Sequence, residues 1–263
     1  MTPSRFWGLV LLAGVFVVAT ATFAGTATTQ AAFVDAELGN GSVTAATSFG
    51  GNPPGPRAYN DANGNGRYDS GEQTFTADDL TDFDDSSANL VVPSDVNTVE
   101  DRNGGVSITA NSLTAETDFR SRNGGVDIEA TGGDVDLNGQ TARSRNGDVS
   151  ISASGDVDIT DATLRSRNED ITVESSGTIT AERSSLRTRN GDVSLTSVGS
   201  IDPTDATLRT RNGDLTADLG TNSATLTVEG TAFVRRSGPG TLLYSPGGVT
   251  VQGTPEQGST QPD

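Results

Sequence analysis

The chain has 263 residues, of which 35 are acidic and 17 are basic, so its formal net charge at pH 7 is −18. It contains no Cys and no His, and every basic residue is Arg. This composition excludes disulfides and removes most routes to zinc binding and to nucleophile–base catalysis. An acidic, lysine-free surface is typical of proteins that stay soluble in concentrated salt. The alternative is an ordinary acidic secreted protein.

A targeting segment begins the chain. Arg5 precedes a continuous stretch of apolar or small residues from Phe6 to Ala24. This layout is typical of a secretory signal, with small residues near position 24 for cleavage, and the stretch is also just long enough to cross a membrane once. Residues 1–24 are therefore predicted to be a signal peptide or a membrane anchor. Because the positive charge comes first, both alternatives place the body outside the cell.

Residues 25–57 are interpreted as a linker. Within them, residues 31–49 read "AAFVDAELGNGSVTAATSF". This stretch resembles the region just after the signal in secreted fibre and matrix proteins of the camelysin type. The matching residues are Ala32, Phe33, Asp35, Glu37, Asn40, Thr44 and Ala45. The resemblance implies an exported, surface-associated protein.

A calcium-binding loop is predicted within residues 58–85. Residues 61–72 read "DANGNGRYDSGE" and fill every specified position of the loop pattern D-x-[DN]-x-[DN]-G-x5-E. The predicted ligands are Asp61, Asn63, Asn65, the carbonyl of Arg67, Asp69 through water, and Glu72. Pro and Gly before the loop exclude a flanking helix, so we expect an isolated structural Ca²⁺ loop with a Kd of about 10⁻⁴–10⁻³ M. The alternative is an Asx-rich turn without an ion.

An internal repeat dominates the rest of the chain. The pair Arg-Asn recurs at residues 102, 122, 145, 167, 189 and 211, in steps of 20, 23, 22, 22 and 22 residues. Three short alternating strands and three turns in about 22 residues predict one coil of a parallel β-helix. The fold class is therefore all-β, a parallel β-helix solenoid over residues 86–252. We expect a right-handed helix, since the hexapeptides of left-handed forms are missing. Residues 253–263, rich in Pro, Gln, Ser and Gly, predict a disordered tail.

Stacking the coils predicts a continuous apolar core, because like residues then lie over like. Four columns are expected. They contain Val106, Val126, Val149, Ile171, Val193 and Leu215; Ile108, Ile128, Ile151, Val173 and Leu195; Leu113, Val135, Val157, Ile179 and Ile201; and Phe119, Ala142, Leu164, Leu186 and Leu208, which Val99 extends into a partial first coil.

Stacking also predicts two outward-facing arginine columns, since side chains along a strand alternate between the two faces. The columns are Arg120, Arg143, Arg165, Arg187 and Arg209, and Arg122, Arg145, Arg167, Arg189 and Arg211. Like charges this close repel, and we expect Asp148, Asp170, Asp192 and Asp214 to pair with them. Two interpretations stay open. The columns are a solvated ladder that reinforces stacking, or they are a basic stripe that binds acidic glycans, an acidic surface layer or a second copy.

An asparagine column follows the arginines. It comprises Asn103, Asn123, Asn146, Asn168, Asn190 and Asn212. Asn tolerates the left-handed backbone conformation that such turns need, and stacked amides bond along the axis. We therefore expect a left-handed asparagine at each turn, with its amide bonded to those in adjacent coils.

Two families resemble the repeat region. The repeat pattern of the sequence "GDVSISASGDV" at residues 147–157 resembles that of filamentous-haemagglutinin-like adhesins. The number of coils and the short polar flanks resemble bactofilins, including the extracellular halofilin type of halophilic archaea. This second resemblance implies a self-assembling protein that supports envelope or cell shape.

Function is predicted as non-enzymatic. The first hypothesis is an exported structural protein that self-assembles at the cell surface, because the ends of a β-helix expose unpaired backbone. The alternative is a surface adhesin that binds glycans or the surface layer. A polysaccharide lyase or hydrolase is a third and weaker alternative, since regular coils leave no long loops to wall a cleft. Nucleic acid is excluded by the acidic charge and by the lack of interleaved aromatics. Membrane contact is expected only through residues 6–24, if they are uncleaved.

Overall fold

The described part of the chain is a parallel β-solenoid of about eight turns, with roughly 22 residues per turn. The computed structural model describes residue 55, residues 57–236 and residues 238–263. The predictions for residues 1–24 and for the camelysin-like segment fall outside these ranges. No helix in the described ranges is long and apolar enough to cross a membrane.

Strands account for nearly all regular structure in these ranges. In chain order they are β1 (Ala58–Asn60), β2 (Thr74–Phe75), β3 (Asp82–Val92), β4 (Val99–Asp101), β5 (Val106–Ala115), β6 (Phe119–Ser121), β7 (Val126–Ala130), β8 (Val135–Asp136), β9 (Thr141–Arg143), β10 (Val149–Ala153), β11 (Val157–Asp158), β12 (Thr163–Arg165), β13 (Ile171–Ser175), β14 (Ile179–Thr180), β15 (Ser185–Arg187), β16 (Val193–Ser197), β17 (Ile201–Asp202), β18 (Thr207–Thr210), β19 (Leu215–Leu219), β20 (Thr225–Thr227), β21 (Ala232–Arg235), β22 (Gly238–Pro239), β23 (Thr241–Ser245), β24 (Thr250–Gln252) and β25 (Ser259–Pro262). A single 3₁₀ turn, Asp79–Thr81, precedes β3.

Adjacent coils stack in parallel and in register. Two strands of each coil join a large sheet, and the third joins a smaller sheet that runs from β4 to β22. In the large sheet, Val149 lies beside Ile171 and Ile151 lies beside Val173. A slip of one residue would turn every apolar side chain outward, so the apolar pattern fixes this register.

All four predicted core columns are confirmed. Their members pair coil on coil and are buried. Val99 pairs with Phe119, as expected for a partial first coil. Phe233 extends the same column beyond Leu208. Each coil adds only a few apolar side chains, and the stack makes them one core.

A column of buried hydroxyls holds the corner that follows the third strand. Its members are Ser121, Ser144, Ser166, Thr188 and Thr210. The Ser166 hydroxyl donates to the carbonyl of Gly147 in the preceding coil at 3.0 Å and accepts the N–H of Glu169 at 3.2 Å. The hydroxyl of Thr210 makes the equivalent bonds to Gly191 and Gly213. One buried side chain per coil therefore ties the turn to the coil beneath it.

The asparagine column differs from expectation in its backbone. Its amides do bond along the axis, with Asn168 donating to Asn146 at 3.0 Å. The expectation of left-handed asparagines is wrong, because no member of the column has a positive φ. Positive φ occurs instead at Asp161, Arg183 and Asp205, between the second and third strands of successive coils. The hydroxyl column already closes the asparagine turn without a left-handed residue.

The two ends of the solenoid carry different structures. At the N-terminal end, β1 runs antiparallel to both β2 and β3 and covers the edge of the first coil. At the C-terminal end, β22 folds back antiparallel on β21. The predicted disordered tail is wrong here: β25 pairs in parallel with β23. Its composition suggested disorder, but stacking on the last coil satisfies its backbone groups.

Replacing Ser166 tests the hydroxyl column. Ser166→Ala leaves the Gly147 carbonyl and the Glu169 N–H without this partner, so we expect the free energy of unfolding to fall by about 1–2 kcal/mol. Ser166→Thr is the matched control and should keep most of the stability, since Thr188 and Thr210 occupy the same position. Urea unfolding followed by circular dichroism measures both. Equal stability of Ser166→Ala and the unsubstituted protein would contradict the assigned role.

A candidate anion-binding groove

Eight arginines line one cleft on the solenoid, which we call the arginine groove. Its volume is about 660 Å³. It is lined by Arg143, Arg145, Arg165, Arg167, Arg187, Arg189, Arg209 and Arg211, together with Ser144, Ser166 and Thr188 between them. The structure thus brings together four coils of the predicted basic stripe. Arg120 and Arg122 belong to the coil that precedes Arg143, and they do not line the groove.

The repeat positions each pair of arginines in the same way. In the sequence Arg165-Ser166-Arg167, the serine is buried, whereas both arginines are exposed. The predicted outward orientation of both columns is therefore confirmed. Arg165 lies in register with Arg143 on one side and Arg187 on the other. Because neighbouring strands are about 4.8 Å apart, the arginines repeat once per coil along the axis.

The groove arginines have no described carboxylate within ion-pair distance. The ion pairs of the described residues are Arg102–Glu100, Arg120–Asp118, Arg183 with Asp161 and Glu182, and Arg235–Asp214. Of the predicted stripe, only Arg120 is among them. The expectation that the aspartate column neutralises the arginine columns is therefore wrong.

The aspartates fail to reach the arginines because they bond along their own column. The Oδ1 atom of Asp148 accepts the backbone N–H of Asp170 at 3.0 Å, and Asp170 and Asp192 each accept the N–H of the next aspartate at 2.8 Å. Asp214, the last member, pairs with Arg235 at 3.2 Å. These carboxylates tie coil to coil and leave the groove positively charged.

Arg183, outside the groove, is an arginine that a carboxylate of the neighbouring coil neutralises. It donates two hydrogen bonds to Asp161 one coil away, at 2.9 and 2.8 Å. The Arg183 guanidinium holds the pKa of Asp161 below its usual range, and Asp161 raises the pKa of Arg183. No comparable contact is found for the eight groove arginines in the described ranges.

The row of unneutralised arginine pairs is interrupted at both ends of the groove. At one end, Asp118 neutralises Arg120 at 2.8 Å. At the other, Arg209 donates to the carbonyl of Arg236 at 3.1 Å, and Val234 takes the place of an arginine beside it. Arg122 has no described carboxylate within ion-pair distance, so it is the complete pairs of unneutralised arginines that span four coils, or about 14 Å at 4.8 Å per step.

The chemistry of the groove is that of an anion receptor. Guanidinium groups stay charged and present five N–H donors in a planar fork that matches carboxylate, sulfate and phosphate oxygens. The described lining contains only Arg, Ser and Thr, and the hydroxyl of Ser166 is already used by the backbone. This set can bind anions but offers no general acid–base pair.

The predicted calcium ligands lie together in the loop between β1 and β2. Asp61 is buried, and its carboxylate accepts the N–H groups of Asn65 at 3.1 Å and Gly66 at 2.6 Å. The Glu72 carboxylate accepts the N–H groups of Ala62 at 3.1 Å and Asp69 at 2.8 Å. These bonds close the loop on itself.

The side-chain amides of the asparagines in this loop face an aspartate. The side-chain amides of Asn63 and Asn65 donate to Asp69 at 2.6 and 2.8 Å, and their oxygens accept the N–H groups of Asn65 and Arg67. Within the described ranges, no group of three Asp, Glu, His or Cys could hold a metal ion. A calcium site here would need the amide oxygens and the Arg67 carbonyl as well as the carboxylates.

A buried tyrosine beside the loop reports its negative potential. Burial is the main cause that raises the pKa of Tyr59, and the Asp61 and Glu72 carboxylates raise it further. Its ring contacts Tyr68 edge-on, with centroids 5.8 Å apart. The loop thus combines several oxygen-bearing side chains with a negative local potential.

Substituting one groove arginine tests whether it lacks a partner. Arg187→Gln removes a charge that repels its neighbours, so at about 0.1 M salt the free energy of unfolding should stay unchanged or rise by a few tenths of a kcal/mol. Arg183→Gln, the matched control, removes a paired charge and should lower it. Both differences should shrink at about 1 M salt. Thermal unfolding measures them, and equal losses for the two variants would contradict the unpaired groove.

Comparison of the chain with protein-family models, with curated proteins and with solved structures found no match.

Proposed function

We propose that the protein is an exported, non-enzymatic cell-surface protein that binds an acidic partner through the arginine groove. The observation that carries the proposal is the cleft lined by eight arginines, none of which has a described carboxylate within ion-pair distance.

The electrostatics of the groove favour a bound polyanion. Guanidinium groups one coil apart repel one another, and the solenoid supplies no anion between them. A ligand with several acidic groups would replace this repulsion with charge-assisted hydrogen bonds. Since the chain as a whole carries −18, an acidic partner is repelled elsewhere and directed to this face. Acidic glycans, or an acidic surface layer, are therefore the proposed partners.

Self-assembly is the second candidate. Among the described strands, β25 pairs only with β23, so its outer edge carries unpaired backbone groups that could accept another copy. The antiparallel β1 at the other end and Pro262 within β25 work against simple end-to-end stacking. The bactofilin and halofilin resemblance stays a prediction that supports this candidate. Negative-stain electron microscopy of the full chain in molar salt tests it.

Calcium is proposed as a structural ion of the loop between β1 and β2. Five oxygen-bearing side chains of the motif lie in one loop whose carboxylates already close it. The loop is attached to the first coil, because Asn89 donates its side-chain amide to the carbonyl of Asp61 at 3.2 Å. Calcium would therefore stabilise the N-terminal end of the solenoid rather than act in partner binding.

An extracellular location and a halophilic source remain proposals. They rest on the targeting segment, which lies outside the described residues, and on the lysine-free acidic composition. A lyase or hydrolase is the weakest alternative, because the groove lining offers cations and hydroxyls rather than a paired acid and base.

Binding to an acidic polymer tests the proposed function. The full chain, purified in a mild detergent, should bind dextran sulfate, and log Kd should rise linearly with log salt, as expected when counterions are released. Replacing Arg165, Arg167, Arg187 and Arg189 by Gln should weaken binding by about tenfold or more. Replacing Arg57, Arg102, Arg183 and Arg235 by Gln changes the net charge equally and should leave most of the affinity. Equal losses for the two sets would contradict the groove as the binding site.

Calcium addition tests the loop. With a Kd of about 1 mM, about 10 mM Ca²⁺ should add about 1.4 kcal/mol to the free energy of unfolding. Glu72→Gln should remove this gain, whereas Glu174→Gln, on an exposed strand position far along the chain, should keep it. Thermal unfolding at constant ionic strength, with Na⁺ replacing Ca²⁺, is the measurement. A gain that survives in Glu72→Gln would argue for non-specific binding.

A further inference from the structure

We infer that the arginine groove binds one extended segment of a linear acidic polysaccharide, with one carboxylate or sulfate per sugar, lying along the solenoid axis. The inference rests on the proposed function and adds the direction, charge spacing and length of the ligand. Three features of the groove carry it: the register of the arginines, their arrangement in two columns, and the interruption of the arginine pairs at both ends.

The register of the arginines sets the charge spacing. Arg143, Arg165, Arg187 and Arg209 pair residue for residue across adjacent strands. Neighbouring strands lie about 4.8 Å apart, so the positive positions form a row with that period. A ligand along the axis keeps all its anions on arginines only if its charges repeat at nearly the same distance.

The two columns set how each anion is held. At every coil, one arginine stands on each side of a buried hydroxyl residue, as Arg165 and Arg167 do around Ser166. An anion that lies over the protein backbone between the two arginines can accept N–H groups from both of them. Such paired, charge-assisted hydrogen bonds persist better in salt than a single long-range attraction. Each coil is therefore one two-armed anion site.

The interruption of the arginine pairs at both ends sets the length of ligand that the groove can bind. The unneutralised pairs occupy four coils, from Arg143–Arg145 to Arg209–Arg211. Beyond them, Arg120 is held by Asp118 and Val234 replaces an arginine. One protein chain thus offers sites for about four successive anionic groups, whatever the full length of the polymer.

The spacing distinguishes between classes of polymer. Side chains on one face of an extended peptide are about 6.6 Å apart, and phosphates along one strand of B-form DNA are about 3.4 Å apart. Charges at either of these spacings no longer lie beside arginines that repeat about every 4.8 Å once the ligand has crossed two or three coils. A sugar ring in an extended 1,4-linked chain advances by about one coil, and successive rings turn their acidic groups toward different sides of the groove, where the two arginine columns lie. The described lining also lacks an aromatic side chain on which bases could stack.

A length series tests the inference. Oligogalacturonates from the disaccharide upward are titrated into the full chain in a mild detergent, with binding followed by calorimetry. Affinity should increase about two- to fivefold with each added sugar up to about four sugars, and then level off. The methyl-esterified tetramer, which keeps the sugars but loses the charges, should not bind. Oligoglutamate and linear oligophosphate with the same number of charges should bind more weakly than the tetramer.

A variant in the middle of the groove tests its continuity. Arg165→Gln combined with Arg167→Gln interrupts the row, so the tetramer should bind no better than the disaccharide. Arg183→Gln combined with Arg235→Gln changes the net charge equally outside the groove and should preserve the length dependence. Circular dichroism melting confirms that both variants are folded.

The outcomes separate this inference from the proposed function. If affinity does not depend on length, or if oligoglutamate of equal charge binds as tightly as the tetramer, the inference of a register-matched sugar polymer is overturned while acidic binding stands. Binding of the methyl-esterified tetramer would overturn it as well. If none of these polyanions binds at any salt concentration, both the inference and the proposed function are overturned.

Discussion

In-register stacking of the coils is the constraint on which the rest of the structure depends. Because each strand pairs residue for residue with the strand one coil away, every side chain has its own equivalent as its nearest neighbour along the axis. For apolar residues this arrangement is favourable, and a chain with 32% hydrophobic residues still forms one continuous core. For charged residues the same arrangement brings like charges together, and the chain has to accommodate them.

The chain treats its two charged columns differently. The aspartates accept backbone N–H groups of the next coil, so their column contributes to stacking. The arginines have no acceptor comparable to this among the described residues. Among the groove arginines, only Arg209 in the last coil donates a hydrogen bond to a described backbone carbonyl, that of Arg236. The groove therefore carries a repulsion that the fold itself does not relieve, and the proposed binding of an acidic partner rests on this difference.

Much of the fold could be predicted from the sequence, because the repeat of about 22 residues fixes which residues stack. The core columns, the outward arginines and the amide ladder of Asn168 all follow from that period and from the alternation of strands. The orientation of Asp148 could not be predicted, since alternation gives a face but not a hydrogen-bond partner. The positive φ of Asp161 was also not predicted. Gly139 and Gly230 occupy equivalent positions in other coils, and glycine is the usual sequence signal for a positive φ.

The regular 22-residue step has a consequence for how this protein can change over generations. Between residues 145 and 211 each coil repeats the one before it without an inserted loop. Duplication or loss of one such unit in the gene would leave every remaining residue in its column, with its core contacts and its corner hydroxyl intact. The same event would lengthen or shorten the row of arginine pairs by one. Stability and the length of the arginine groove are therefore inherited as a single modular unit, so variation in coil number would adjust both in equal steps.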